Sequence, residues 1–280
     1  MSIALKALWL SAAVAQAGTQ QTAFRVTDMD LRDPHVHVNL LGCRDLTDVA
    51  FAGFSVNGQL QAQIQGDSDG DGLLDLSSLL LFDPLDQSQS GNVFDYGSAD
   101  CSVPLASTAC SQFVSAGNGA LAGMAALQSA GLCLEPLPGT TFGYTPPLAS
   151  AQAACFLSPA GALLLDLGGG TTVPLQGAQI AAHFDGSPAT TLSNGILTGF
   201  ITEADANATL LPSDLPLIGG MPLASLLPGG AGNCAAHSDK DTRNGQPGWW
   251  FYLNFSAVQV PLAVSPSDQL FGDGFELIPP

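Results

Sequence analysis

Apolar and polar residues alternate with a period of two in many short stretches of this chain, the pattern of strands with one buried face. Phe24-Arg25-Val26 and His35–Leu40 are the first candidates. Ala50–Val56 and Gln59–Gln65 flank Asn57-Gly58, a pair suited to the positive φ angles of a type I′ turn, and so read as a hairpin. Leu60, Ala62 and Ile64 would share one side of its second arm. Further strands are expected at Leu163–Leu167, Thr171–Leu175, Ile180–Phe184, Ile196–Ile201 and Trp249–Phe255, with Ser193-Asn194-Gly195 as a second hairpin signal. Thirty-two Gly and nineteen Pro punctuate the chain and favour short strands over long helices. Helix is expected at Ala120–Ala130, after the capping residue Thr202, and over a turn or two within Met221–Leu227. The fold class is therefore mainly β, an antiparallel sandwich or barrel with a few short helices. The recurrence of Asn-Gly, strand and acidic segment near residues 57 and 194 hints at an internal duplication.

The first residues add a compartment. Lys6 precedes an apolar stretch from Ala7 to Ala15, and Ala15-Gln16-Ala17 is the small-x-small pattern that signal peptidase accepts. Residues 1–17 are read as a signal peptide, 18–265 as one β-rich domain and 266–280 as a tail. The destination is extracellular or periplasmic, and the mature chain has no run long enough to span a membrane as a helix. Six cysteines in an exported chain imply three disulfides out of fifteen possible pairings. Cys101–Cys110 and Cys133–Cys155 suit local staples inside a Cys-rich insertion, 97–159, and Cys43–Cys234 would join the two halves. A formal charge of −18, with only six Lys and Arg, excludes nucleic acid as a partner. It also favours bound cations as a relief of self-repulsion.

One segment carries chemistry. In Asp67-Ser68-Asp69-Gly70-Asp71-Gly72-Leu73-Leu74-Asp75, alternate aspartates converge oxygens on a point and Gly72 permits a sharp turn. The segment resembles the EF-hand-type loops of dockerins and thrombospondin type 3 repeats. That resemblance implies Ca2+ as cofactor, with Asp67, Asp69, Asp71, Leu73 and Asp75 as ligands. It departs from the pattern at loop position 12, where Ser78 replaces an acid, so either a weaker affinity or a ligand from elsewhere, such as Asp83 or Asp86, is expected. A second metal site is conceivable at Asp239, Asp241 and Asn244, interrupted by Lys240 and Arg243.

Other chemistry is sparser. His35 and His37 would share a strand face, and Ala-Ala-His183-Phe-Asp185 echoes Ala-Ala-His237-Ser-Asp239. Surface or hydrogen-bonded histidines are the ordinary reading, and a metal cluster is the sharper one. Within Trp249-Trp250-Phe251-Tyr252, period two sends one pair inward and the other outward, and an outward Trp249 or Trp250 would stack on a sugar. The ending Phe271-Gly272-Asp273-Gly274-Phe275-Glu276 resembles a short terminus of exported proteins in some Gram-negative bacteria, which implies a bacterial source. The expected function is non-catalytic: a calcium-stabilised β-domain for surface adhesion or ligand binding, with carbohydrate or another surface protein as partner. The alternative is a secreted hydrolase acting on a polysaccharide.

Overall fold

The computed structural model describes residues 21–112, 121–168 and 170–263. The segment 1–17, read above as a signal peptide, and the expected tail 266–280 lie outside the described residues. The strands are β1 (Thr22–Asp33), β2 (His37–Asn39), β3 (Cys43–Asp45), β4 (Ser78–Phe82), β5 (Gly91–Cys101), β6 (Cys110–Gln112), β7 (Leu121–Gln128), β8 (Leu132–Leu134) and β9 (Ala151–Gln152). They continue with β10 (Cys155–Leu157), β11 (Gly161–Asp166), β12 (Thr172–Gly186), β13 (Ala189–Thr202), β14 (Asp241–Arg243) and β15 (Gln246–Val260). Among the described residues two helices, α1 (Val56–Gln65) and α2 (Glu203–Ala208), complete the regular elements, together with 3-10 turns at Leu105–Ser107 and Leu223–Leu226.

The main sheet runs β1-β4-β5-β7-β10-β12-β13-β15, and β15 pairs back onto β1. All these pairings are antiparallel. The expected sandwich or barrel is thus a closed barrel of eight staves that follow one another in chain order, and closure leaves few unpaired edges. β11 prolongs the stave begun by β10, both pairing with β12. The Cys-rich stretch 97–159 supplies β7 and β10 to the barrel wall itself.

Period two decides which side chains fill the barrel. Trp249, Phe251, Leu253, Phe255 and Ala257 of β15 belong to the interior cluster, whereas Trp250, Asn254 and Ser256 do not. In β1 the inward set steps from Phe24 and Val26 to Met29 and Leu31, and the bulge between Val26 and Asp28 absorbs the odd residue. Toward one end Phe82 centres an aromatic cluster, with ring centroids 6.0 Å from Phe24, 5.4 Å from Phe94, 5.1 Å from Phe156 and 6.0 Å from Phe184. Elsewhere Leu31, Leu165, Phe251 and Leu253 enclose an apolar cavity of about 80 Å³ together with Leu60 of α1 and Leu211, Ile218 and Leu226. An apolar interior with polar outward positions such as Asp28, Asp30, Asn254 and Ser256 is the reverse of a lipid-facing barrel.

Three disulfides join Cys43–Cys234, Cys101–Cys110 and Cys133–Cys155, the pairing favoured from spacing. Two of them sit in small apolar clusters of their own. Cys101 and Cys110 pack with Leu74, Leu79, Leu81 and Val260, and Cys133 and Cys155 with Ala181, Ile196 and Tyr252.

Three local expectations are overturned. Asn57-Gly58 is no hairpin turn but the first turn of α1, capped by Ser55, whose Oγ accepts from Gly58 N at 3.3 Å. Leu60 and Ile64 satisfy period two, yet they are also four residues apart, and with Asn57 they form the buried face of a helix. The Gln-rich sequence around them favours that reading. Ser193-Asn194-Gly195 is a bulge inside β13, with Asn194 at φ 47°, rather than a turn. The two segments therefore share no structure, and the suggested duplication loses its basis. Finally, Ala120–Ala130 yields strand β7: pairing with β5 on one side and β10 on the other outweighs the helix propensity of alanine. The Asn-Gly hairpin that does form is Asn244-Gly245, at φ 54° and 78°, between β14 and β15.

Helix α1 has a specific task. β4 pairs with β1 only over Thr22–Arg25, so the rest of that β1 edge has no strand partner there. Asn57 Oδ1 accepts from Leu31 N at 2.8 Å, Asn57 Nδ2 donates to Leu31 O at 3.1 Å, and Gln61 Nε2 donates to Thr27 O at 3.2 Å. Two amide side chains, four residues apart, stand in for a missing strand and satisfy backbone groups that would otherwise be stranded. The buried Arg25 adds a bond from Nη1 to Ile64 O at 3.1 Å.

Candidate functional site

The acidic loop begins where α1 ends. Gly66 is the C-cap, and Asp67, Asp69 and Asp71 each place one carboxylate oxygen within 4.8 Å of the others. Gly70 and Gly72, at φ 75° and 91°, give the loop its tight path. Four backbone N–H groups turn inward and make five bonds. Asp67 accepts from Gly70, Asp71 and Gly72, Asp69 from Asp71, and Asp71 from Leu73. Ser68 N donates to both oxygens of Asp75, at 3.0 and 3.2 Å. The far side of the loop is stitched to the barrel by Leu74 N to Cys101 O at 2.9 Å and Val103 N to Gly72 O at 3.0 Å. Buried Leu74 packs beside the Cys101–Cys110 disulfide.

The loop opens onto a cleft of about 620 Å³ that Asp100 and Asp214 also line. The missing acid at position 12 is therefore not made good by Asp83 or Asp86. Both lie past the opposite end of β4, where Asp83 accepts from Gln21 and Asp86 accepts from Ser88. Leu73 and Asp75 line the same cleft as the three clustered aspartates. Gln59 and Gln63 of α1 line both this cleft and the apolar cavity, so the helix separates the acidic site from the barrel interior.

The second proposed set does not assemble. Asp239 turns toward Tyr144 and His237, Asp241 accepts from the adjacent Thr242 N, and Asn244 occupies the hairpin turn. Of the two tryptophans, Trp249 is fully buried, and its Nε1 donates to Pro228 O at 2.9 Å, so it has no face to offer a sugar. Trp250 points outward, half-buried against Phe200, with the Arg243 guanidinium 5.9 Å from its ring centre.

A second cluster was half legible in the sequence, where its histidines stood out but nothing showed which of them assemble. It gathers His35, His37 and His237 around Tyr144, together with Asp33, Asp45, Asp48 and Asp239. His183 lies apart, with Nδ1 2.9 Å from Gln152 O. His35 is buried, its Nδ1 2.6 Å from Asp45 Oδ2, and its ring stacks on Tyr144 at 3.7 Å between centroids. The Tyr144 hydroxyl donates to Asp239 Oδ2 at 2.6 Å and lies 2.7 Å from His237 Nε2. Phe142 stacks on His237 at 4.0 Å, and its backbone N donates to Asp33 Oδ2 at 2.8 Å. The repeated His-x-Asp and the His35-x-His37 spacing were the available signals. Tyr144 and Asp33 had none.

Burial shapes the electrostatics here. It pushes Asp33 up to about 6, with the negative charge of Asp239 acting the same way against the Phe142 N–H bond. Asp239 is raised, chiefly by burial, and Tyr144 is raised by burial and by its bond to Asp239. His37 is lowered by burial. Burial also acts to raise Asp45, but the bonds from His35 and Thr47 outweigh it and hold Asp45 at about 2. Several shifted groups in one place mark a candidate site. Among the described residues no helix is long and apolar enough to cross a membrane. No family model, curated protein or solved structure matches the chain.

Proposed function

We propose that this chain is an exported, non-catalytic β-barrel stabilised by calcium at the loop Asp67–Asp75, working in adhesion or ligand binding outside the cytoplasm. The observation that carries the reading is the convergence of Asp67, Asp69 and Asp71 within 4.8 Å of one another directly after a helix end. Hard carboxylate oxygens at this density suit calcium over softer metals. The wider ring of Asp75, Asp100 and Asp214 deepens the negative field of the cleft.

The position of the loop gives the ion a structural task. On one side it continues α1, which seals the open edge of β1; on the other it is bonded to Cys101 and Val103. A cation held there ties the seal to the barrel wall. The three disulfides fit an oxidising compartment, where millimolar calcium fills a loop of modest affinity. Half-buried Trp250 and exposed Phe142 are the aromatic surfaces that suit a carbohydrate or protein partner.

Calorimetric titration of the full chain with calcium tests the reading. One ion is expected to bind with a dissociation constant on the order of 10⁻⁴–10⁻³ M, and Asp69→Ala should abolish the heat. Equal heats from both proteins would overturn the assignment. A glycan array probed with the calcium-loaded form then tests the carbohydrate arm.

A further inference from the structure

The histidine cluster lies apart from the acidic loop and is built from different donors. We propose that His37, His237 and Asp239 form a second metal site, for a first-row divalent ion of the zinc class.

Three distances support this. The His37 and His237 rings meet edge to face with centroids 5.6 Å apart. Two imidazoles on one tetrahedral zinc, with Zn–N of about 2.0–2.1 Å, hold their ring centres roughly 5 Å apart. His237 Nε2 and Asp239 Oδ1 are 3.5 Å apart, against roughly 3.4 Å for two ligand atoms on such an ion. The third distance concerns orientation: Tyr144 holds Asp239 Oδ2 at 2.6 Å and so leaves Oδ1 as the free oxygen.

Unpartnered atoms point the same way. His37 Nδ1 and Asp239 Oδ1 are both buried with no hydrogen-bond partner among the described residues, and the Asp239 side chain is only 3% exposed. Burying such groups without partners is costly, and a shared cation satisfies both at once. The mounting is firm. Cys43–Cys234 fastens the β2–β3 hairpin to the segment leading into His237, and Asn233 Nδ2 donates to His37 O at 3.2 Å. Behind the donors, Asp45 orients His35, which stacks on Tyr144, which in turn holds Asp239. Supporting bonds of this kind fix ligands around metal centres.

Binding requires two side-chain movements and a change of tautomer. His37, His237 and Asp239 do not yet bring three donor atoms within 4.8 Å, so the His37 side chain must turn toward the other two. With Tyr144 donating to Asp239, the contact between His237 and Tyr144 is one in which Nε2–H donates to the phenol oxygen. For Nε2 to bind the metal as a neutral imidazole, that proton moves to Nδ1 by way of solvent and the Tyr144 hydroxyl turns off Nε2 while keeping its bond to Asp239, so no proton is lost overall. Imidazole with carboxylate favours zinc or copper(II) over calcium.

The test uses the full chain saturated with calcium, titrated with zinc by calorimetry and with copper(II) by electron paramagnetic resonance. One further equivalent should bind, with nitrogen hyperfine structure on the copper signal. His37→Ala and His237→Gln should each weaken zinc at least tenfold, whereas Asp69→Ala and His183→Ala should leave it unchanged. Near-ultraviolet circular dichroism confirms that the variants are folded. If His37→Ala proves unfolded, His37→Gln replaces it. Absence of a further equivalent, retention of binding in His37→Ala and His237→Gln, or loss of zinc in Asp69→Ala would each overturn the site without touching the calcium assignment.

Discussion

Cys43 and Cys234 are 191 residues apart in the chain and 5.4 Å apart between their Cα atoms. The bond ties a hairpin that follows the first stave to a loop that precedes the last. A cross-link of that span removes far more freedom from the unfolded chain than Cys101–Cys110, which spans 9 residues. On the loop-entropy relation the two contribute about 5 and about 2.5 kcal/mol. Replacing each pair by serine and comparing urea midpoints should show the larger loss for the long link. Equal losses would mean that the outer apolar cluster around Cys101, rather than chain entropy, sets the second value.

Asn57→Ala should destabilise the fold by about 2–3 kcal/mol, because Leu31 N–H and C=O both lose their partner in a buried place. Gln61→Ala removes one bond, to a carbonyl, and should cost about 1 kcal/mol. Amide exchange at Leu31 reports the first directly: it should accelerate in Asn57→Ala and stay slow in Gln61→Ala.

The pH response has two opposed parts. Asp33 holds its proton up to about pH 6 when folded but only to about 4 when unfolded, so the native state binds more protons between these values. Its contribution is complete below pH 4 and disappears as pH rises through 6, a change of roughly 3 kcal/mol. Asp45 does the reverse: held at about 2, it stabilises above pH 4, and that share is lost as pH falls through 2. Asp33→Asn should flatten the stability profile between pH 4 and 6, and Asp45→Asn should flatten it below 4. Urea denaturation across pH checks both. A slope that survives in Asp33→Asn would assign it to other groups.

Trp249→Ala should cost about 3–5 kcal/mol, the loss of a large buried ring. Trp250→Ala should cost far less, since its ring is half-solvated. Thermal melting separates the two. If a sugar ligand is found, only the Trp250 substitution should weaken it with the fold intact.

Several barrel strands were legible: Leu163–Leu167 overlaps β11, Ile196–Ile201 falls in β13, and Trp249–Phe255 falls in β15, where period-two burial survives, whereas β4, β5 and β10 gave no strand expectation. The Thr202 cap and the turn within Met221–Leu227 were legible from local chemistry. Failures came where local signals compete. Leu60, Ala62 and Ile64 fit a strand and a helix alike, and only docking of Asn57 and Gln61 on the edge of β1 decides. β7 contradicts its own alanines because two neighbouring strands claim its backbone. The acidic loop was readable since its donors are contiguous. The assembly of the histidine cluster was not, because it draws on residues 33 to 48, 142 to 144 and 237 to 239, which only the closed barrel and the Cys43–Cys234 link bring together.

The claim on which the functional reading depends is that a divalent ion sits among Asp67, Asp69 and Asp71. Thermal melting in 5 mM calcium against excess chelator measures it most directly. Binding to the native state alone should add about 1–2 kcal/mol at the expected affinity, a rise of roughly 2–8 °C. Asp69→Ala should melt at the chelated temperature in both conditions. Identical curves for the unmodified chain with and without calcium would contradict the account.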